Sequence, residues 1–325
     1  MRIREGFARF GQEQTVVLIA VMLAVVFAIM LPDFVSWGNA MALFRSVSVL
    51  GVLALGMALV MIGRGIDLSQ VAIALVSAGT AVSLMINGIA MPIALLAGFA
   101  TALGSGTLNG AIIAYLEVPP LLTTLASAFL FIGIARVWLF DSAIISVPAD
   151  SAAILALGQQ WLGAPVPLIV FIVCALVVHL FLSRTVPGRF IYAHGDNAEA
   201  ARLSGLPVHG ITLLEYSMSA IIGYVAGLLM IASTAMVDLN TANSTLIFEV
   251  ILVVILGGVS LAGARGSVGS VLAGTLLIGV LLNGMILMDL SYQLQNIITG
   301  GVLLIAIVLD SWLHPRDEET ARQGD

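Results

Sequence analysis

The stretch Ser46–Ile62 reads SVSVLGVLALGMALVMI. It has no charge, and its only polar side chains are two serines near its start. Coiled as a helix it is apolar on every face, and drawn out as a strand it is apolar on both. Similar runs recur along the chain at Thr15–Leu31, Val71–Ile86, Met91–Tyr115, Leu122–Phe140, Pro167–Leu182, Ile211–Val237, Leu246–Leu261, Val268–Met288 and Leu294–Trp312. A hydrocarbon layer about 30 Å thick takes about 20 apolar residues per helix. Backbone polar groups in lipid must be satisfied within the span, so the helix is the default there. Strands of a membrane barrel would alternate polar and apolar residues, and these runs do not. The expectation is an all-α, polytopic membrane protein with about ten transmembrane helices.

Composition agrees. Hydrophobic residues make up 60% of the 325 and charged residues 9%, against about 25% charged in an ordinary soluble domain. The chain has no lysine. A Walker-A loop holds phosphate with a Gly-Lys-Ser/Thr sequence, so any ATP chemistry must come from another chain. A lysine Schiff base is excluded in the same way. The lone cysteine, Cys174, lies inside an apolar run, and the four histidines have no ligand spacing. No metal, cofactor or nucleic-acid partner is expected, and no catalytic motif of an intramembrane enzyme occurs.

Positive charge sets orientation. If residues 1–14 are cytoplasmic and the spans alternate, Arg2, Arg4, Arg9, Arg64, Arg184, Arg189, Arg202, Arg265, Arg316 and Arg322 all fall inside. Arg45 and Arg136 fall near outer span ends, where snorkelling is available. Both termini are then cytoplasmic, with a membrane domain over 15–312 and an inner tail over 313–325. An apolar run after three arginines could mimic a signal peptide, but no A-x-A site follows it, so it is read as an uncleaved first span.

Two loops are long. The stretch 141–164 is external. The stretch 183–210 is internal and the most polar of the chain. Within it, Asp196 or Asn197 can cap a helix running through Glu199, Ala200, Ala201 and Arg202 to Ser204. Gly205 suits its left-handed end, and Pro207 prevents continuation. A capped helix there either docks on a soluble partner or lies as a connector at the headgroups.

Glu199-Ala200-Ala201-x-x-x-Gly205 resembles the first half of the E-A-A-x-x-x-G signature of binding-protein-dependent importers. Further fragments follow in order: Gly63-Arg64-Gly65-Ile66-Asp67-Leu68-Ser69, Leu108-Asn109-Gly110, Val118-Pro119-Pro120, Gly188-Arg189-Phe190-Ile191-Tyr192-Ala193, Phe248-Glu249, and Gly257 through Gly266. Together, from about Asn39 to Asp310, they resemble the ribose-type sugar ABC permeases, relatives of the branched-chain amino-acid permeases. Arg64 and Ala264 stand where that family commonly has glycine, Gln70 and Val71 interrupt its usual small residues, and the second half of the E-A-A signature is not recognisable. The resemblance implies ABC ATPase subunits docking on the 183–210 loop, a second permease subunit, identical or paralogous, and a periplasmic solute-binding protein outside. A secondary transporter driven by an ion gradient is the alternative. It would want carboxylates at midspan, whereas the evident ones lie at span edges.

The remaining polar residues in or beside the spans are few. Asp67-x-x-Gln70 can form a cap pair for the third span. Glu249 sits just inside the eighth span, and Arg136 can pair with it or with Asp141. Asn109 and Asn283 either line a path or join helices, and the Leu-Asn-Gly sequence around each is a faint echo of two related halves. Gly106 with Gly110, Gly223 with Gly227, and the series Gly269, Gly274, Gly279, Gly284 allow close helix approach.

Overall fold

A computed structural model describes residues 12–140, 142–148 and 151–313. Each apolar run of the sequence lies for most of its length on a helix. These helices are α1 (Gln12–Met30), α2 (Trp37–Ile62), α3 (Gln70–Ile86), α4 (Met91–Leu116) and α5 (Pro120–Ile134), then α7 (Val166–Arg184), α10 (Val208–Thr234), α11 (Leu246–Gly257), α12 (Val268–Leu287) and α13 (Tyr292–Leu313). Three shorter helices lie between them: α6 (Ala152–Ala156), α8 (Val186–Asp196) and α9 (Ala198–Leu203).

Among the described residues, seven helices are long and apolar enough to cross a membrane, and α3, α11 and the apolar part of α13 are shorter. The 12 residues of α11 reach about 18 Å at 1.5 Å per residue, less than a bilayer core. Beyond Gly258, which takes a left-handed conformation, the chain continues as irregular backbone with Val259 and Ser260 buried. Irregular backbone at membrane depth is tolerated where protein encloses it.

The core is built around α2, α3, α10 and α11. From Leu50 to Ile62 α2 is buried, and α3 is buried from Gln70 to Val82. The small residues of α3 (Ala72, Ala74, Ala78, Gly79, Ala81) let neighbours close on every side. Gly106 and Gly110 of α4 lie against the backbone of α10, and Gly227 of α10 lies against the Ala74 carbonyl of α3. Gly274 meets the Val253 carbonyl, while Gly279 and Gly284 seat Val47 and Phe27. Helices α1, α4 and α7 turn rows of Leu, Ile and Val outward.

Helix α12 begins at a capping box of Ser267 and Ser270. Both hydroxyls donate to one oxygen of Glu13, at 2.5 and 2.9 Å, so the first helix supplies an anion to the N-terminus of the twelfth, where the macrodipole favours it.

Several boundaries differ from the sequence reading. The seventh apolar run extends through Val237, but α10 ends at Thr234. Ala235 turns left-handed, and Met236–Asp238 forms strand β4 antiparallel to β1 (Ile144–Ser146), pairing Ile145 with Val237. The fifth run passes into a π turn over Ala135–Leu139. The 141–164 loop thus contributes strand β1 of that ribbon, the small helix α6, and a hairpin of β2 (Gln160–Trp161) with β3 (Ala164–Pro165). A pairing between segments so distant in sequence leaves no periodic signal in either one.

Candidate functional site

The 183–210 loop holds two helices rather than one. Thr185 caps α8, its hydroxyl accepting from the Gly188 N–H at 3.1 Å, with Pro187 in the first turn. Asn197, not Asp196, caps α9 and accepts from the Ala200 N–H at 2.9 Å; Asp196 is the last residue of α8. Helix α9 closes as a Schellman motif: the Leu206 N–H reaches the Ala201 carbonyl at 3.0 Å, with Gly205 at φ +80°. Glu199 and Arg202 form an exposed pair at 2.7 Å, and Arg202's hydrogen bond holds the Glu199 carboxyl below its usual range. Ala201 is the buried residue of this helix, while Leu203 is 79% exposed.

Between α9 and the bundle lies a cavity of about 530 Å³. Its lining includes Glu199 and Arg202 of α9, His194 of α8, Glu215 and Tyr216 of α10, and Arg64 and Glu117. Glu215 is 1% exposed and 3.2 Å from His194 Nδ1. It lies two turns inside α10, so the reading that the evident carboxylates sit at span edges missed it. A carboxylate five residues into the run Ile211–Val237 was the available signal.

One turn further along α10, Ser219 donates to Asp67 Oδ2 at 3.0 Å. Asp67 Oδ1 accepts from the Ser69 N–H at 3.1 Å and the Ser69 hydroxyl at 2.5 Å. Asn109 of α4 donates to the Ser69 oxygen at 2.8 Å, and Thr124 of α5 accepts from the Leu68 N–H at 3.1 Å. Asp67 is fully buried in the connection between α2 and α3, and burial pushes its carboxyl above the usual range. The expected Asp67–Gln70 cap pair is not formed: the Gln70 side chain turns into the bundle and donates to the Leu53 carbonyl at 2.9 Å.

The other polar residues are dispersed. Asn283 of α12 exchanges two amide bonds with Asn39 of α2. Glu249 accepts from Thr245 at 3.3 Å. Arg136 pairs with Asn240 at 2.9 Å instead of Glu249, because the π turn aims it at the segment after β4. Asp141, its other expected partner, lies outside the described residues. Arg45 lies about two turns inside α2 rather than at its end, with its Nε buried and unpartnered.

Connections sort to two ends of the bundle. Glu13, Ile62–Asp67, Ala114, α8, α9, Ala264 and Ser267 are tied together at one end, for instance by Ala264 N–H to the Ile62 carbonyl and Tyr192 hydroxyl to the Gly266 carbonyl. Arg64, Arg184, Arg189, Arg202 and Arg265 are at this end, and Arg136 is with the β ribbon at the other.

The fold is that of a multi-pass helical membrane protein with a capped polar loop at one end of the bundle. The profile of the family described as "branched-chain amino acid transport system / permease component" matches residues 39–307, and the chain belongs to this family. It is 31% identical to the ribose import permease protein RbsC of Bacillus subtilis, over 89% of each chain. It is 31% identical to the L-arabinose transport system permease protein AraH of Escherichia coli, over 94% of this chain and 93% of that one. To the autoinducer 2 import system permease protein LsrC of an Enterobacter it is 32% identical, over 87% and 81%. No solved structure matches the chain at a significant level. Family and helices together make it a multi-pass protein of the bacterial inner membrane.

Proposed function

We propose that this chain is the membrane subunit of an ABC importer for a sugar or sugar-like solute, driven by separate ATPase subunits that dock on the 183–210 loop. The observation that carries the reading is α9: an exposed helix, capped at Asn197 and Gly205, presented at the arginine-rich end of the bundle. The names of the relatives support the solute class, since they specify ribose, L-arabinose and autoinducer 2.

In this scheme residues 15–312 form the membrane domain, with the short helices α3, α11 and α13 completing about ten spans. Residues 1–14 and 313–325 are inner segments and 141–164 faces a periplasmic solute-binding protein. A second permease subunit completes the path. Asp196, Asn197, Glu199, Ala200, Ala201, Arg202 and Gly205 belong to the ATPase contact. ATP closes the ATPase pair, moves α9, and biases the bundle between inward and outward states.

Uptake into proteoliposomes tests this. Transport is expected to need ATP and a receptor and to ignore proton and sodium gradients; dependence on an ion gradient alone would establish the secondary-transporter alternative. Ala200→Cys in a Cys174→Ala background is expected to resist an impermeant maleimide applied outside sealed cells. Labelling from outside would reject the orientation.

A further inference from the structure

We propose that His194 and Glu215 form a latch through which motion of the 183–210 loop reaches the spans, with Glu215 as a positioning residue for transport; this rests on the ATPase-docking reading above. Helix α9 buries one residue, Ala201, while Ala198, Glu199 and Arg202 line the 530 Å³ cavity beside α10, so packing of α9 on α10 is a thin route for a push on it. Helix α8 is the more firmly seated of the two, burying Gly188, Ile191 and Gly195. Ile191 is fully buried, and Gly195 lies so close to Ile62 that a Cβ there would overlap the Ile62 carbonyl oxygen. That same carbonyl accepts from the Ala264 N–H at 2.8 Å, and Tyr192 reaches the Gly266 carbonyl at 2.9 Å. Between these contacts His194 turns toward α10 and meets Glu215.

Glu215 is placed to hand the displacement on. Its carboxylate lies against Gly63, and Tyr216 lies against Gly65. Ser219, on the same face one turn later, holds Asp67, and Asp67 with Ser69 reaches Asn109 of α4. One face of α10 therefore grips the whole connection from which α3 departs. The latch itself is stiff because a polar side chain almost wholly withdrawn from water cannot lose its hydrogen-bond partner cheaply.

The full chain, assembled with its ATPase and receptor in proteoliposomes, gives the readout: solute carried per ATP hydrolysed. His194→Ala and Glu215→Ala are each expected to lower that ratio about five-fold or more, the low end of a coupling free energy. The amount of assembled complex and its ATPase rate should hold. The double variant should be no worse than either single one, and His194→Gln, whose amide can still donate to Glu215, should recover most of the loss. Equal falls in uptake and ATPase rate, additive losses, or no rescue by His194→Gln would overturn the latch. An unchanged ratio in both alanine variants, beside a control in which Asn197→Ala with Gly205→Val destroys coupling, would overturn the latch and leave loop docking standing. If that control also leaves the ratio intact, both the latch and the docking reading fall.

Discussion

Asn39 and Asn283 exchange a reciprocal pair of side-chain amide bonds, 2.9 and 2.8 Å, across α2 and α12. Asn39 spends its other amide hydrogen on the Phe34 carbonyl, also at 2.9 Å, so its donors are both committed. Asn283→Leu is expected to leave the Asn39 amide half-paired and to cost about 1–2 kcal/mol. Asn39→Leu combined with Asn283→Leu should recover part of that loss, since no orphan remains between those helices. Thermal unfolding in detergent checks both, and a double variant worse than the sum of the singles would contradict the pairing.

Asp67 carries a second prediction with a pH signature. Asp67→Ala orphans the Ser69 N–H and the Ser219 hydroxyl and is expected to cost about 2–3 kcal/mol. Asp67→Asn can still accept from the Ser69 N–H and donate to Ser219, so it should be milder. Burial raises the Asp67 carboxyl above its unfolded value. Its contribution is therefore fully present below the unfolded pKa and is lost as pH rises through the folded one. Stability of the wild type should decline across that window and the Asp67→Asn variant should be flatter, measured by denaturation as a function of pH.

Glu13 ties α1 to the N-terminus of α12 through Ser267 and Ser270. Glu13→Gln keeps an acceptor but removes the charge that the helix end favours, at about 0.5–1 kcal/mol. Glu13→Ala should cost more and should open residues near the start of α1 to protease in detergent before the rest of the bundle. Identical digestion of wild type and variant would contradict the clamp.

Gly205 is left-handed at φ +80° with open space around it. Its requirement is therefore conformational and not steric. Gly205→Asn should be tolerated, while Gly205→Val should cost about 1–2 kcal/mol in local helix stability and depress uptake more than it depresses membrane insertion. Uptake assays normalised to inserted protein separate the two effects.

How much could be read beforehand follows from how far apart the cooperating residues are. The α9 helix was legible because its cap, helix formers and left-handed glycine occupy a single stretch from Asn197 to Gly205. The apolar runs were legible for the same reason. Helix α8 was hidden, since Pro187 and Gly188 near its start look like loop residues until Thr185 is recognised as a cap. Asp67 was noticed, but its partner Ser219 is 152 residues away. Glu215 and His194 join two elements of which one had not been recognised, and so the most deeply buried contact beside the cavity went unseen. Helix ends went astray at Ala235, where a residue without special turn chemistry adopts φ 55° because β4 must turn back to meet β1.

That ribbon has a consequence for biogenesis. Ile144 pairs with Asp238, so this ribbon cannot close until the ribosome has released both and α10 has been threaded across the bilayer. Long-range strand pairing is slow to form. Until then Ile144–Ser146 waits as an unpaired strand edge.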